Sequence, residues 1–508
     1  MDAPTFTGLK TLDGGLCLAP DLRQPRRAHL VGVAGSGMRA LAEVLAGWGW
    51  QLSGSDSNAA AVRDLAAKNI AAKNIRVFEG HTAAHLPPET ELVISSDAVP
   101  AENPELRRAA ELGLPTLSYF QMLGRLSADC HTVAIAGTHG KSTTTAMAAH
   151  ILVAAGRDPT VFCGATPLGA TSGGRAGRSG LMLVEACEYR ANFRYLRPQH
   201  AAILGIEPDH FDCYDSLEQI EDAFRQFAAS VPPEGLLLVR HDCASTRRAT
   251  AGLGCRIESF GLGPEADWSA QRLTHRRGQF RFEIHHLGQP MCHLRLRTPG
   301  RHNVLNALAA AALAWHNRAT EDQIASGLGS FAGLRRRLEV LGTWRGATLL
   351  DDYAHHPTEV TATLDAIRQM FPHRRVWCVF QPHQASRTAR LLDELAASLQ
   401  NADRVLVAEI FRAREGSPRP GEVTAVDLAR KTRSLGVEVL PGRTAQEIVG
   451  TLETHLVPGD VLVTLGAGDV EQFRPPHGIE RPAAGMGKRR TRPAETRLDC
   501  GNLTLREP

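Results

Sequence analysis

Short runs of consecutive apolar residues recur along the chain, each followed by a segment whose apolar positions repeat every three to four residues. That alternation predicts strands buried on both faces with helices packed over them, an α/β protein with mostly parallel sheets. The first run spans 28–34 and leads through a glycine turn into a helix over 38–48. Strands are expected next at 50–53, 76–78, 92–95 and 115–117. A second group opens at 133–136, with a helix reaching about 155, and continues at 181–186 and 201–206. Hydrophobic alternation near 256–260, 280–284 and 292–296 predicts an antiparallel extension of that second sheet. An Ala/Leu-rich helix running to about 316 separates it from a third group, at 348–352, 376–380, 404–408, 437–440 and 460–465.

At 508 residues the chain is too long for one core, and the three groups predict three domains, 28–128, 129–332 and 333–474. A leader over 1–27 and a basic tail over 475–508, rich in Pro, Gly and Arg, are expected to lack packed structure. The Gly-rich stretch 164–180 is expected to be a mobile loop. Ala-Ala-Lys-Asn-Ile occurs twice in succession, at 66–70 and 71–75, and predicts a lengthened helix end or loop with no chemistry of its own.

Charge changes the picture little. Lys and Arg number 57 against 54 Asp and Glu, and much of the basic excess lies in the tail, so nothing favours a nucleic-acid or membrane-surface partner. The ten cysteines include no C-x-x-C pair, which argues against a zinc knuckle or a disulfide framework. No apolar stretch reaches the roughly 20 residues of a membrane span, and the first 20 residues lack a signal-peptide pattern. A soluble, cytoplasmic protein is expected.

The richest chemistry is Gly137-Thr-His-Gly-Lys-Ser142, placed between a strand and a helix. Glycines let backbone N–H groups converge on a phosphate, the helix N-terminus adds positive partial charge, Lys141 reaches phosphate oxygens and Ser142 suits Mg²⁺. The wider pattern is imperfect, because Ile135 stands at the first glycine position. Glu185 and His210 end two strands at the mouth of the same sheet; the carboxylate suits Mg²⁺, whereas a histidine is a softer ligand and by itself reads as a capping or core residue. In the first domain, Gly32, Gly35 and Gly37 resemble a dinucleotide-binding turn, and Asp56 either bonds a ribose hydroxyl or caps a helix. His302 and Asn303 stand at a helix start and read as caps. Arg335, Arg336 and Arg337 form a basic run at the start of the third domain. Asp351, Asp352, Tyr353, His355 and His356 precede Pro357, a natural first helical residue; two carboxylates beside two imidazoles also fit a metal site.

Taken in order, Gly-Thr-His-Gly-Lys-Ser, Ile-Glu-Pro-Asp-His, Gly-Arg-His-Asn, Asp-Asp-Tyr-Ala-His-His-Pro and Gln-Pro-His resemble the motifs of the Mur ligases over about 28–473. The resemblance implies an N-terminal Rossmann-like UDP-sugar domain, a central P-loop ATPase-like domain and a C-terminal Rossmann-like amino-acid domain. It implies that ATP meets Gly137, Thr138, His139, Gly140, Lys141, Ser142, Thr143, His302, Asn303, Arg337 and Asp351. The UDP-sugar would meet Gly35, Ser36, Gly37, Met38, Ser55, Asp56, His81, Ser95, Ser96, Glu188, Tyr189 and Arg190. Tyr353, His355, His356, His383 and Arg387 would face the amino acid, and Ser142, Glu185 and His210 would hold Mg²⁺. Lys141, Glu185, His210, Arg337 and His356 are the implied catalytic set, with Arg336 the second choice after Arg337.

Departures from the family pattern fall at Ala34, Gly205 (where the family carries Asn) and Gln384. The helix expected over 217–229 contains no lysine, so no carbamylated lysine is expected. The implied reaction is the alanine-adding one, ATP-dependent joining of L-alanine to the lactyl carboxylate of UDP-N-acetylmuramate by a monomer or weak homodimer. Two alternatives stay open: a ligase recycling a murein peptide onto the same nucleotide sugar, and a non-catalytic nucleotide-sugar sensor.

Overall fold

A computed structural model describes residues 26–67, 75–413, 415–475 and 478–480. Most of the expected leader, most of the second copy of the five-residue repeat and the tail beyond 480 lie outside the described residues. Three sheets follow one another along the chain; one continuous apolar core joins the first to one face of the central sheet, a second covers the other face of the central sheet, and the third sheet has cores of its own. The first is fully parallel, in the order Ile75–Glu79, Gln51–Asp56, Arg27–Val31, Leu92–Ser95, Thr116–Ser118.

The central sheet has ten strands. His131–Ala136 lies in its middle, between His200–Ile203 and Leu181–Glu185, both parallel to it. Each of these strands is buried but for one terminal residue, which is why they read as apolar runs. The strand expected near 256–260 is Arg256–Gly261, and it runs parallel to Leu236–Arg240, correcting the antiparallel reading. The antiparallel extension is built from Trp268–Arg276, Gln279–His286 and Gln289–Arg295. Trp268–Arg276 escaped the sequence reading because only its first three residues are fully buried, and beyond them Leu273 is the one apolar residue packed on the core.

The third sheet runs Glu339–Trp344, Ala347–Asp352, Val461–Leu465, Val376–Phe380, Arg404–Val407, Glu438–Val439, parallel except for its first strand. Among the described residues no helix is long and apolar enough to cross a membrane.

The stretch 164–180 is not the free loop its glycines suggest. It contains the short strand Gly174–Arg175 and packs on the first-domain helix Ser36–Gly47. The buried Glu43 carboxylate accepts hydrogen bonds from Thr171 Oγ1 at 2.7 Å and from Ser172 Oγ. Trp48 Nε1 donates to Gly177 O at 3.1 Å. A Cβ on Gly174 would overlap Ala40 O, and one on Gly47 would lie 2.5 Å from Ala176 Cβ. The glycines are there for close approach rather than for motion.

Candidate active site

The site grows from the turn after His131–Ala136. Gly140 has φ +82°, and a Cβ on it would collide with Asn306 Oδ1, so only glycine lets the loop pass. Thr138 N donates to Gly205 O at 2.9 Å, tying the loop to the end of the neighbouring strand. The helix Lys141–Ala154 then starts with its N-terminus at the loop.

Lys141 Nζ donates to Gly137 O at 2.6 Å, to Thr138 O at 3.1 Å and to Glu188 Oε1 at 2.8 Å. Burial disfavours charge on both partners, but their mutual field wins: Lys141 is raised and Glu188 falls to about 2. His210, at φ +54°, brings Nε2 to 3.2 Å from the same Glu188 oxygen. Lys141 and His210 therefore meet on one oxygen of Glu188, a triangle fixed from behind by Tyr214 O–H donating to Glu188 O at 2.6 Å.

Of the expected metal set Ser142, Glu185 and His210, the structure shows His210 against Glu188. Glu185 accepts from Gly164 N at 2.6 Å at the end of a strand in register with Ile135, beside the phosphate loop. Hard oxygen donors at Glu185 and Ser142 fit Mg²⁺ and leave places for phosphate; the imidazole fits it less well.

On its other side the loop meets the third domain. His139 lies between Glu207, 3.4 Å from Nε2, and Glu359, 3.2 Å from Nδ1. Burial pushes the imidazole toward neutrality, and the two carboxylates overcome this and raise it to about 9, while Glu207 falls to about 2. His356 caps the helix Pro357–Met370, and its Nε2 donates to Pro208 O at 3.2 Å across the interface. Thr358 Oγ1 donates to Glu207 at 2.6 Å. His139, Glu207 and His356 are the one grouping of three metal-ligating side chains among the described residues whose ligand atoms lie within 4.8 Å of one another. Nearby, Arg387 donates to Asp209 at 2.9 and 2.7 Å and to His383 Nδ1 at 2.9 Å. The rings of Tyr353 and His355, and of His355 and His383, are 5.4 and 5.5 Å apart, so the expected amino-acid-side residues do come together.

Between the two domains opens a pocket that starts at His139, Gly140 and Thr143 and is floored by Leu204, Phe260 and Leu334. His302, Asn303 and Arg337 line it. Gly300, not His302 or Asn303, is the N-cap of the helix Arg301–His316, so the capping reading of that pair is corrected. Burial and the charge on Arg337 bring His302 down to about 4. Arg336 instead turns inward to Gly466 O and Gly468 O at 2.6 and 3.0 Å.

Asp351 is a correction. It is buried inside the third domain, accepting from Arg474 at 2.6 Å and Thr464 at 3.0 Å, and Asp352 lines the pocket in its place. Successive residues of a strand face opposite sides, so a shift of one exchanges core for cleft. Burial raises Asp352 to about 6.

In the first domain, Asp56 accepts from Ala34 N and Asn58 N, both at 2.9 Å, bracing the glycine turn, while Asn58 accepts from Ala61 N at the following helix. Gly35, Ser36 and Gly37 form the turn into the helix Ser36–Gly47, and Ser95 ends a strand with Ser96 beside it. Met38 packs its side chain in the core. Ser55 and His81 are 3.0 Å apart and share the fully buried Glu105, which His29 and His85 also approach. Tyr189 O–H donates to Asp212 at 3.0 Å, and the Arg190 guanidinium lies over the Tyr189 ring.

Sequence reasoning assigned no role to Glu105, Glu207, Asp209 or Glu359. Glu359 carried a signal, since it stands three residues after His356 as in a capping box. The others acquire their partners only across long sequence separations.

Three family models match in chain order: "Mur ligase family, catalytic domain" over 27–131, "Mur ligase middle domain" over 135–314 and "Mur ligase, glutamate ligase domain" over 336–468. The UDP-N-acetylmuramate–L-alanine ligase of Clostridium novyi is 38% identical over 446 residues, 88% of this chain and 95% of that one. A solved UDP-N-acetylmuramate–alanine ligase from Thermotoga maritima superposes with a TM-score of 0.73 at 26% identity, covering 88% of this chain and 98% of that one. A murein peptide ligase from Psychrobacter arcticus superposes with a TM-score of 0.67 at 26% identity, covering 88% and 97%.

Proposed function

The chain belongs to the Mur ligase family, and from that premise we propose that it joins L-alanine to the lactyl carboxylate of UDP-N-acetylmuramate, driven by ATP, as the first amino-acid addition of peptidoglycan synthesis. A carboxylate is a poor electrophile. Its oxygen attacks the γ-phosphorus of ATP, the bond to the β-phosphate oxygen breaks, and ADP leaves. The acyl phosphate now has a leaving group. The alanine amine attacks the acyl carbon, a tetrahedral intermediate forms, and phosphate departs as the amide forms with loss of a proton from nitrogen.

The observation that carries this reading is the Lys141–Glu188–His210 triangle at the phosphate loop. Lys141 would leave Glu188 to meet the γ-phosphoryl oxygens, a charge-stabilising role in a site largely closed to water. Glu185 and Ser142 would hold Mg²⁺, which neutralises phosphate charge when bound. Arg337 would face the phosphates from the third domain. Tyr353, His355, His383 and Arg387 would border the incoming amine, and the first domain would hold the UDP end through the Gly35–Gly37 turn, Ser55 and His81.

The test is phosphate release from ATP with UDP-N-acetylmuramate, comparing L-alanine with a murein tripeptide as acceptor. Release with alanine is expected; release with the tripeptide alone would move the chain to the recycling reaction. Release with neither, despite measurable binding of nucleotide and sugar nucleotide, would favour the sensor.

A further inference from the structure

His139 and Glu207 belong to the central domain and His356 to the third, and the three converge where the domains meet. His139 Nε2 lies 3.4 Å and His356 Nδ1 3.8 Å from the same oxygen, Oε2 of Glu207, and the ring centres of the two histidines are 4.7 Å apart. Around a four-coordinate zinc, nitrogen and oxygen ligands at about 2.0–2.2 Å from the metal stand about 3.4 Å from one another. One separation matches this value and the other exceeds it by a few tenths of an ångström.

The surroundings of the two rings turn a lone pair of each toward that oxygen. His356 Nε2 donates to Pro208 O at 3.2 Å, so Nδ1 is the nitrogen without a proton, and it accepts from Thr358 N at 3.4 Å. His139 Nδ1 faces Glu359 Oε1 at 3.2 Å, which leaves Nε2 for Glu207. An imidazole that binds a metal through one nitrogen is held through the other by a carbonyl or a carboxylate, and Pro208 and Glu359 supply one of each. Thr358 Oγ1, donating to Glu207 at 2.6 Å, steadies the carboxylate. A protonated His139 between two glutamates accounts for the attraction, but its two nitrogens, both closed to water, make no hydrogen bond. The Glu207 oxygen is near Nε2 yet off the direction of an N–H there, as two ligands of one ion are.

We propose that His139, Glu207 and His356 bind Zn²⁺, and that the ion clasps the third domain to the central one. Two imidazoles and a carboxylate suit zinc, whereas the oxygens of Ser142 and Glu185 suit magnesium. Binding displaces a proton from His139 Nε2 to solvent, the charges of Glu207 and Glu359 offset those of the ion, and the fourth position is left to water.

The test is calorimetric titration of the untagged full chain with Zn²⁺ at pH 8 in excess Mg²⁺, followed by Co²⁺ in place of zinc. Equimolar zinc uptake is expected, and bound Co²⁺ should show visible bands without the ultraviolet band of a thiolate ligand. Glu207→Gln and His356→Gln should each weaken zinc binding by more than about a hundredfold, and Glu359→Gln, which loosens only the far side of His139, by about tenfold. Zinc should raise the unfolding temperature of the parent chain and leave that of His356→Gln unchanged. A parent chain that takes up no zinc would overturn the site. Equal uptake by the parent and both ligand variants would put the ion elsewhere and overturn the assignment. Binding lost in the variants, with no rise in the parent's unfolding temperature, would overturn the clasp.

Discussion

The central domain touches its two neighbours in opposite ways. Against the first domain it presents backbone: Gly174 on Ala40, Gly47 on Ala176, and the hydroxyls of Thr171 and Ser172 on the buried Glu43. Against the third it presents charge: His139 between Glu207 and Glu359, Arg387 on Asp209, and an open pocket alongside. Close backbone contact leaves no slack, because any sliding meets another atom within a fraction of an ångström. Ion pairs lengthen and rehydrate gradually. The ionic interface is the one suited to part, and it is the one through which a nucleotide would enter.

The largest effect should come at the loop where the two meet. Lys141→Ala should lower phosphate release by about 10³-fold, the upper range for losing one preorganised charge-stabilising group. Near-parent turnover in that variant would remove the loop from the mechanism. Next comes the buried ion pair of the ionic interface. Arg387→Ala strands Asp209, and breaking a buried pair costs about 3–5 kcal/mol of the docked arrangement. Small-angle scattering should show an expanded molecule, and Asp209→Ala in the same chain should restore part of the loss. An unexpanded double and single variant would mean that the apolar floor of the pocket, not charge, holds the third domain.

The same interface should respond to alkali. Folding raises His139 from its ordinary 6.5 to about 9, so its contribution is full below about 6.5 and fades as pH rises through 9. Glu207 is lowered from 4.5 to about 2, so its contribution holds above 4.5 and is lost in acid as pH falls through 2. His302 and His356 are lowered by burial and oppose docking as they protonate below 6.5, so docking measured by scattering should be firmest near pH 6.5 and loosen toward pH 9, the alkaline loss being smaller in His139→Gln. The smallest effect belongs to the other interface: Thr171→Val should cost about 1 kcal/mol in thermal unfolding with an unchanged scattering curve. Expansion in that variant would erase the contrast.

What the sequence made legible follows the same division. The phosphate loop, the strand ends at Glu185 and His210 and the turn before Pro357 are local constructions, in which strand, glycine and helix start lie within about 15 residues. Interface chemistry is non-local. Glu43 reads as a helix-surface residue until Thr171 reaches it across 128 positions, and Asp209 reads as a loop residue until Arg387 meets it across 178. Asp351 and Asp352 mark the finest limit: their order along the strand was plain, but which one faced the cleft depended on register. The glycines of 164–180 misled for a related reason, since composition alone does not separate a glycine kept for freedom from one kept for contact.

The fit of Gly174 against Ala40 bears on how such enzymes can be recombined. A graft that joined a foreign first domain at residue 128 would bring a different helix surface against Gly174. The natural unit of exchange is discontinuous, the first domain together with the stretch 164–180 that packs on it. The same stretch also reaches the start of the third domain, where Leu168 N donates to Gly333 O at 3.1 Å and Arg335 N to Thr166 O at 2.9 Å, so a cut there is best placed after residue 335.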